Sequence, residues 1–347
     1  MNDAIPELVA AIDIGGSKTL VTVRPRHEDA WRQGKLRGDV HRAPTVRDPV
    51  IVADTIAAVI RQAGQAIGGR IVAVGLAAPG PVDRASGVIV HSPNLGWHDV
   101  PLGPLLAERL DAQVLLDDDA NLGAGGESTH GAGIGADSLA YLTVSTGLGL
   151  GIIQGGRPWR GAHGLAGEIG HLVLHPDGPR CSCGRHGCLE AYVGGNSLAR
   201  RTRRLPNAPG GPAADGTSWL FEASRRGDEG ARRLVEEAAV ALAHAIAAVA
   251  SLLDPERIVV GGGIALAQPD LLRRARNLAG RRMLAEVGRR TVVVPAALGD
   301  ESVLAGAATL ARRWMDDPHG ESGPDSNGKG RVPSGEHAAT RMPDRPG

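Results

Sequence analysis

The stretch LVAAIDIGGSKTLVTVRP at residues 8–25 decides the fold class. An apolar run ends at Asp13, and a glycine turn separates it from a second apolar run, which predicts two strands around a tight loop. The same order recurs weakly at residues 138–154, SLAYLTVSTGLGLGIIQ. Two such units facing one another would form a cleft with a glycine turn on each wall.

Strands alternate with helices along most of the remaining chain. Apolar residues at helical spacing predict a helix at 48–66, and an unbroken apolar run predicts a strand at 71–76. Alternation of this kind predicts an α/β protein built in layers. Further helices are expected at about 104–110, 119–129, 190–204, 217–226, 229–253, 268–286 and 301–314, and further strands at 113–116, 257–261 and 291–295.

The chain of 347 residues is long enough for two domains. We expect an N-terminal α/β domain at 1–122, rejoined by the C-terminal helix at 301–314, and a larger α/β domain at 123–300 that contains an irregular loop at 168–190. The tail at 316–347 is rich in Pro, Gly, Ser and charge and has no apolar periodicity, which predicts disorder.

The charge balance and the N-terminal sequence argue against several classes of protein. Lys plus Arg number 38 and Asp plus Glu number 38, so the basic balance of a nucleic-acid binder is not visible. No stretch of 18 residues is uniformly apolar, so no membrane span is expected. The N-terminus lacks the basic region of a signal peptide. We therefore expect a cytoplasmic protein.

The cysteines of the chain all lie within CSCGRHGC at residues 181–188. Three cysteines so closely spaced make a poor disulfide framework. Together with His171 they form a Cys₃His set, which is typical of a closed, structural zinc site. His175 and His186 compete for the place of the fourth ligand. The expected metal ligands are His171, Cys181, Cys183 and Cys188.

Asp117, Asp118 and Asp119 stand where a predicted strand ends and a predicted helix begins. Adjacent carboxylates repel one another, so at least one should have a shifted pKa unless a cation or a hydrogen-bond donor compensates. The carboxyl ends of strands are also where α/β sheets bind ligands. The alternative is that an Asp caps the helix. Capping accounts for a single Asp and leaves the row of three unexplained.

Both glycine turns could bring backbone N–H groups close to phosphate oxygens, and Asp13 could hold Mg²⁺ through water. The run at 261–263, Gly-Gly-Gly after a strand, would permit the close approach of a base or ribose. Glu168 and Glu190 flank the predicted zinc ligands and could accept hydrogen bonds from sugar hydroxyls. The alternatives are ordinary turns and surface charges, and no turn has the Walker pattern.

Taken together, these motifs closely resemble the ROK family of bacterial sugar kinases and sugar-responsive repressors. The resemblance covers about residues 8–312, and its most specific part is GLAGEIGH…CSCGRHGCLE at 164–190. The other matching pieces are DIGGSKT at 13–19, APGPVD at 78–83, PNLGW at 93–97, DDAN at 118–121, STGLGLGI at 145–152 and GGG at 261–263.

The resemblance implies an actin-like ATPase (ribonuclease H-like) fold, with two α/β domains that close on sugar and nucleotide in the cleft between them. It implies an ATP-dependent hexose kinase, in the first place a glucokinase, that uses ATP and Mg²⁺ and carries a structural Zn²⁺. Asp119 would be the general base that accepts the proton of the attacking sugar hydroxyl. A kinase for N-acetylmannosamine, fructose or allose, or a catalytically weak sugar-binding protein, is the alternative.

The resemblance also assigns binding residues. His171 would act twice, with one ring nitrogen on zinc and the other toward the sugar. Sugar hydroxyls would be bound by Asn94, Asp118, Asp119, Glu168, His171 and Glu190. Nucleotide contacts would come from Asp13, Gly15, Gly16, Ser17, Lys18, Thr19, Thr146, Gly147, Gly149, Gly262 and Gly263.

Two residues depart from the family pattern. Ser17 replaces the usual Thr and keeps its hydroxyl. Asp118 replaces the usual Asn, which can donate a hydrogen bond to a sugar oxygen, whereas an ionised Asp cannot. The extra charge beside Asp119 could raise the pKa of the base, alter the sugar preference or weaken the activity.

A repressor of this family carries a helix-turn-helix domain before its first glycine-turn strand, and here that strand begins near residue 8. We therefore expect a kinase whose partners are a small-molecule sugar and ATP, with no nucleic acid and no membrane. Members of the family commonly form dimers or tetramers, so the resemblance implies a homodimer or homotetramer.

Overall fold

Two five-stranded sheets form the layers of the fold in the computed structural model. The structure describes residues 5–318 except 17, 28–30, 33–34, 37–38, 93 and 210–215. The elements up to the end of the first sheet are β1 (Glu7–Ile14), β2 (Lys18–Pro25), β3 (Trp31–Arg32), β4 (Lys35–Leu36), β5 (His41–Pro44), α1 (Pro49–Ile67), β6 (Arg70–Ala78), β7 (Val82–Asp83), β8 (Val88–Ser92), β9 (Trp97–Val100), α2 (Leu102–Leu110) and β10 (Gln113–Asp118).

A helix leads from the first sheet to the second, and the last element within the described residues is another helix. These later elements are α3 (Asp119–His130), β11 (Ser138–Val144), β12 (Leu148–Gln154), β13 (Arg157–Pro158), α4 (Glu190–Val193), α5 (Gly195–Thr202), α6 (Gly216–Arg226), α7 (Glu229–Leu253), β14 (Arg257–Gly261), α8 (Gly263–Ala267), α9 (Pro269–Gly280), α10 (Ala285–Arg290), β15 (Val292–Pro295) and α11 (Ser302–Asp316).

The two sheets repeat one topology. The first has the strand order β10-β6-β1-β2-β5, and the second has β13-β12-β11-β14-β15. In each, a central strand pairs antiparallel with the strand that follows it, β1 with β2 and β11 with β12. The same central strand pairs parallel with a later one, β6 or β14, which requires a crossover through helices. The repeat predicted from the two glycine-turn segments is therefore confirmed.

Helices α1 and α7 cover the two sheets with their apolar faces. Ile56 and Ile60 of α1 are buried in the core of the first sheet, and Leu242 and Ile246 of α7 are buried in the core of the second. Both helices have the length and hydropathy of a membrane span, with 39% and 61% of their most apolar windows buried inside the fold. Apolar core helices of a globular protein pass the same test, so these two helices give a membrane only weak support.

The C-terminal helix α11 returns to the first sheet, where it packs against β1, β6 and α3. The backbones approach so closely that a side chain has no room. A Cβ on Gly306 would lie 1.8 Å from the Leu122 carbonyl oxygen of α3, and one on Gly75 would lie 1.9 Å from the Ala307 carbonyl oxygen. The crossing of α3 and α11 is therefore a tightly packed joint.

Two predicted helices are each divided in the structure. The helix expected at 190–204 forms α4 and α5, because Gly194 between them is extended at φ −64° and ψ 138° and lies tightly against Glu190. The helix expected at 268–286 ends with α9 at Gly280, and α10 begins at Ala285. The short strands β5 and β7–β9 were not predicted, because they lack a long apolar run.

The predicted domain division remains a prediction, and the boundary at residue 122 falls inside α3. The predicted return of the C-terminal helix is seen as the packing of α11 on the first sheet. Helix α11 extends to Asp316, the first residue of the predicted tail. Most of that tail, from residue 319 on, lies outside the described residues.

Candidate active site

The first glycine turn closes the β1–β2 hairpin at the edge of the cleft. The Gly15 N–H group donates to the Lys18 carbonyl oxygen at 2.9 Å. A Cβ on Gly16 would lie 3.8 Å from the Asn94 Cβ, so the turn faces the loop that carries Asn94. Gly16 and Lys18 are exposed, as a phosphate-binding turn requires. Ser17, which was predicted to bind nucleotide, lies outside the described residues.

The predicted nucleotide contact of Thr19 finds no support in the geometry. Its side chain is buried in β2, and its hydroxyl lies 2.9 Å from the Thr45 hydroxyl. Strand alternation explains this, because neighbouring residues of a strand point to opposite faces of the sheet. The Thr19 hydroxyl is thus used inside the sheet rather than at the turn.

Asp13 lies near two other carboxylates and one cation, Lys18. Its pKa is raised from 3.8 to about 7, chiefly by burial and also by the carboxylates of Asp119 and Asp300, while Lys18 acts in the opposite direction. Asp300 belongs to a short 3₁₀ turn, Gly299–Glu301, and was not singled out from the sequence. Carboxylate oxygens facing one another with little cationic compensation suit Mg²⁺, which prefers oxygen ligands.

Replacement of Asp13 by Asn is expected to stabilise the unliganded protein at pH 8 and to have little effect near pH 4. The raised pKa means that the folded state holds this proton more tightly than the unfolded state does, so Asp13 lowers the free energy of unfolding as the pH rises from about 4 to about 7. Asn avoids that cost because it carries no charge. Thermal unfolding at both pH values without Mg²⁺ or nucleotide measures the effect.

The matched control is Asp254→Asn, which changes an exposed carboxylate at the end of α7. Its unfolding temperature should follow that of the parent protein at both pH values. An Asp13→Asn gain that is the same at pH 4 and pH 8 would contradict the raised pKa.

Asp117 is a buried carboxylate that is compensated by arginine. Its Oδ2 accepts hydrogen bonds from Arg160 Nε at 2.9 Å and Nη2 at 2.6 Å, and Arg84 Nε lies 3.5 Å away. Arg160 follows β13 of the second sheet, so this ion pair joins the two halves beneath the cleft. The compensating cation expected beside the three adjacent carboxylates is therefore present. It is Arg160, and it pairs with Asp117, the first of the three.

Asp118 caps helix α3. Its Oδ1 accepts the Asn121 N–H group at 2.7 Å, and its Oδ2 accepts the Asn121 side-chain amide. The same amide donates to Asp117 Oδ1 at 3.1 Å. Burial raises the pKa of Asp118 well above 3.8, and the charge of Asp117 adds to the increase. The capping alternative thus holds for Asp118 and leaves Asp119 free.

Asp119 is the first residue of α3, and its side chain is exposed to the cleft. The surrounding walls still displace much of its water, and this desolvation raises its pKa above 3.8, with a smaller contribution from the Glu168 carboxylate. A carboxylate with a raised pKa is a stronger proton acceptor. The Glu168 carboxylate is therefore near enough to Asp119 to act on its charge.

The predicted metal ligands converge. One ligand atom from each of His171, Cys181, Cys183 and Cys188 lies within 4.8 Å of all the others. The Cys183 and Cys188 sulfurs are 3.7 Å apart, and Cys181 Sγ lies 3.7 Å from His171 Nδ1. Two sulfurs bound tetrahedrally at about 2.3 Å from zinc would be about 3.8 Å apart. The cluster is compatible with a structural zinc ion, and the histidine in it is His171.

Glu190 connects the metal-ligand loop to the second glycine turn. Its Oε1 accepts the Ser182 hydroxyl at 2.9 Å, and its Oε2 accepts the Leu148 N–H group at 3.2 Å. A Cβ on Gly147 would lie 2.4 Å from Oε2, so a larger residue there would displace the Glu190 carboxylate. On the other side of the cluster, His171 Nε2 lies 3.7 Å from Glu168 Oε2. The histidine therefore directs one nitrogen to the cysteines and the other to Glu168.

Asn94 extends from the first half of the molecule toward the second. Its side-chain oxygen accepts the Asn196 side-chain amide at 3.5 Å, and the Asn196 N–H group donates to the Thr146 carbonyl oxygen at 3.0 Å. Asn196 lies in the first turn of α5. This link brings the loop of Asn94 to the second glycine turn, so the predicted sugar and phosphate residues lie along one cleft.

A cavity of about 490 Å³ opens beside the second glycine turn. Gly263 contributes to its wall with no atom near its missing Cβ, while Gly262 has φ +88° and a Cβ there would be 2.4 Å from the Val144 carbonyl oxygen. Lining residues that the sequence did not single out are Asn196, Thr217, Ser218, Phe221 and Gln268. The volume of the cavity lies in the range of small-molecule sites and is sufficient for a nucleoside.

Gly149 lies away from this cavity. It is part of β12, and a Cβ there would lie 3.2 Å from the Ala120 Cβ of α3. Its missing side chain therefore serves the packing of β12 on α3, and the nucleotide contact predicted for it stays a prediction.

Two α/β halves of one topology, each with a glycine turn, form an actin-like ATPase fold, and the similar proteins make the chain a sugar kinase of that fold. A ROK hexokinase from Thermus thermophilus superposes with a TM-score of 0.76 and is 35% identical, over 89% of this chain and 99% of the other. A ROK glucokinase from Streptomyces griseus, solved with glucose and AMPPNP, gives a TM-score of 0.74 at 33% identity over 88% and 99%.

The chain belongs to the ROK family, whose sequence model matches residues 9–314. A glucokinase of Streptomyces coelicolor is 35% identical over 319 residues, which are 88% of this chain and 98% of the relative. A xylose repressor of Bacillus subtilis is 26% identical over 69% of this chain and 61% of the repressor. The family resemblance and the fold expected from the sequence are thus confirmed.

Proposed function

We propose that this kinase is a glucokinase, which converts glucose and ATP into glucose 6-phosphate and ADP. The observation that carries the proposal is the position of Asp119, which is exposed at the start of α3 and feels the charge of Glu168, which itself lies beside His171 of the cysteine cluster. Several relatives at 33–35% identity are named glucokinases, and the one from Streptomyces griseus was solved in complex with glucose and an ATP analogue. Both facts support glucose as the acceptor.

In the proposed reaction, Asp119 accepts the proton of the glucose 6-hydroxyl as that oxygen attacks the γ-phosphorus of ATP. The new O–P bond forms while the bond from the γ-phosphorus to the β–γ bridging oxygen breaks, and ADP leaves with the electron pair. The raised pKa of Asp119 makes it a better acceptor for this proton. The rest of catalysis is positioning of the two substrates.

Glucose would be held by Asn94, Glu168, His171 and Glu190 together with the two aspartates of the α3 start. Asp118 replaces the Asn of the family, and burial raises its pKa. In its protonated form this carboxyl would donate to a sugar oxygen as Asn does. Its bonds to Asn121 would keep it in place during turnover.

The nucleotide would lie between the first glycine turn, the second glycine turn and the cavity beside Gly263. Thr146 lines that cavity, and the Gly147 turn adjoins it, so phosphates and ribose would occupy neighbouring parts of one channel. Asp13 and Asp300 would hold Mg²⁺, which supplies neutralisation of the phosphate charge. Zn²⁺, held by His171 and the three cysteines, supplies a rigid frame for the loop that ends in Glu190.

Three further parts of the proposal have separate grounds. The homodimeric or homotetrameric assembly rests on the family resemblance, and the cytoplasmic location rests on the N-terminal sequence. The division into domains at 1–122 and 123–300 rests on the sequence pattern and on the packing of α11 against the first sheet. A kinase for N-acetylmannosamine, fructose or allose is the alternative for the acceptor, and a repressor is disfavoured by the exposed base.

A coupled ADP-release assay with Mg-ATP against glucose, mannose, fructose, allose, N-acetylglucosamine and N-acetylmannosamine tests the proposal. We expect glucose to have the highest kcat/KM, by about tenfold or more, because a hydrogen-bonding site strongly disfavours a wrongly placed hydroxyl. Faster turnover of another sugar would keep the kinase and replace the substrate. ATP turnover with none of the sugars by zinc-loaded protein would overturn the proposal.

A further inference from the structure

Glu127 is a buried charged residue that the proposed reaction does not use. Its side chain is fully buried in α3, eight residues after Asp119. Burial of a carboxylate in a protein is costly unless hydrogen bonds replace those that the carboxylate made with water. Such a residue needs partners, and the identity of those partners shows what it does.

Both oxygens of Glu127 are satisfied. Oε2 accepts the N–H groups of Ala132 at 2.7 Å and Ala297 at 3.1 Å. Oε1 accepts the Leu298 N–H group at 2.9 Å and the Ser302 hydroxyl at 2.7 Å. These four donors are neutral. They come from two segments, one at Ala132 and the other at 297–302, which are about 165 residues apart in the chain.

The two segments are the connections between the sheets. In the described order of elements, the chain passes from the first sheet to the second through α3 and residues 131–137, and it returns from β15 to α11 through residues 296–301. Any change in the angle between the two halves must therefore be taken up by these segments. The Glu127 carboxylate joins them to each other.

The same carboxylate adjoins residues of the candidate active site. Leu298, which donates to Glu127, precedes the 3₁₀ turn Gly299–Glu301, and Asp300 of that turn acts on the Asp13 carboxylate. Asp119 lies at the other end of α3, about 12 Å away at about 1.5 Å per residue. The close α3–α11 packing at Gly306 leaves little freedom for either helix to move alone.

We propose that Glu127 is a positioning residue, a pin that joins both connections between the halves and so fixes Asp119 relative to the nucleotide side of the cleft when the halves close. The proposal rests on the role of Asp119 given above. It predicts that loss of the pin affects the rate of phosphoryl transfer more than it affects the binding of either substrate, because no substrate contact is removed.

The test compares Glu127→Gln with Val249→Ala. Gln keeps the shape of Glu, but its NH₂ group must face N–H donors, which breaks part of the pin. Val249 is buried in α7, away from both connections, and its replacement by Ala lowers stability without touching the pin. We expect Glu127→Gln to lower kcat about 30-fold with both KM values within about threefold, and Val249→Ala to keep kcat within about twofold.

Ser302→Ala removes one of the four bonds and is the variant of choice if Glu127→Gln does not fold. Its kcat should fall about fivefold, again with little change in KM. Thermal unfolding measures the loss of stability of each variant, so that kcat can be compared between variants of similar stability. A kcat within twofold of the parent for Glu127→Gln or Ser302→Ala, at a stability loss like that of Val249→Ala, would make the role purely structural and overturn the proposal.

A readout without turnover separates this proposal from that of Asp119. Small-angle X-ray scattering measures the radius of gyration with and without AMPPNP plus the sugar that the parent turns over. The radius of gyration of the Asp119→Asn protein should decrease on ligand addition by the same amount as that of the parent. The radius of gyration of the Glu127→Gln protein should decrease to a different final value. Equal contraction in all three proteins would overturn the pin and leave the base untested by this experiment.

Discussion

Asp119→Asn is expected to lower kcat by about 10³-fold while the affinity for sugar and for ATP changes by less than about fivefold. A positioned general base contributes about 10²- to 10⁴-fold to such a reaction. Asn keeps the size of Asp and can still contact a sugar hydroxyl, but it cannot accept the proton. The coupled ADP assay gives kcat, and calorimetry with AMPPNP gives the affinities.

The matched control for this change is Asp111→Asn. Asp111 is an exposed residue that ends α2 at φ 48°, a conformation that Asn also adopts, so kcat should stay within about twofold of the parent. If Asp119→Asn kept more than a tenth of the parent rate, another residue would have to be the base. Glu168, whose charge acts on Asp119, would then be the first residue to substitute in the search for the base.

Loss of the metal is expected to weaken sugar binding more than any other change proposed for this protein. Structural zinc contributes about 10–16 kcal/mol to the folding of small zinc domains, so Cys183→Ser should remove the metal and loosen the loop. Glu190 would then lose its fixed position beside the Leu148 N–H group. We expect the sugar Kd to rise about 50-fold or more, since the pocket would form only in a fraction of molecules.

Cys183 is the appropriate ligand to change, because it is exposed and is not itself a proposed sugar contact. Replacement of His171, which lies beside Glu168, would remove a proposed sugar contact together with the metal. His186→Ala is the control, since His186 belongs to the same loop but not to the cluster. Elemental analysis should find one zinc per chain in the control and in the parent, and none in Cys183→Ser. Unchanged sugar affinity in metal-free protein would contradict the proposed frame.

The sequence predicted the features that depend on neighbouring residues. The two hairpins followed from apolar runs around glycine turns, and the metal cluster followed from three cysteines within eight positions, where spacing alone limits the geometry. The capping of α3 was anticipated for the same reason, because a cap acts over three residues, as between Asp118 and Asn121. The helix break at Gly194 was missed, since it depends on packing against Glu190.

The features that escaped prediction join distant parts of the chain. Arg160 pairs with Asp117 over 43 positions, and Leu298 donates to Glu127 over 171 positions. Nothing in the local sequence identifies such partners. A weaker signal was available for Glu127, because it directly follows the small, uncharged run at 120–126 and is the only Asp, Glu, Lys or Arg between Asp119 and Asp137. That pattern indicates a buried carboxylate without naming its donors.

The confinement of every cysteine to one loop has a practical consequence. Because the sequence has no cysteine outside 181–188, the thiols that a native preparation exposes to a reagent come from this cluster alone. A metal-loaded molecule has its three sulfurs engaged, whereas a metal-free molecule has the exposed Cys183 thiol available to react. The thiol titre therefore counts the fraction of molecules whose loop is assembled, and it does so without a substrate or an assay of activity.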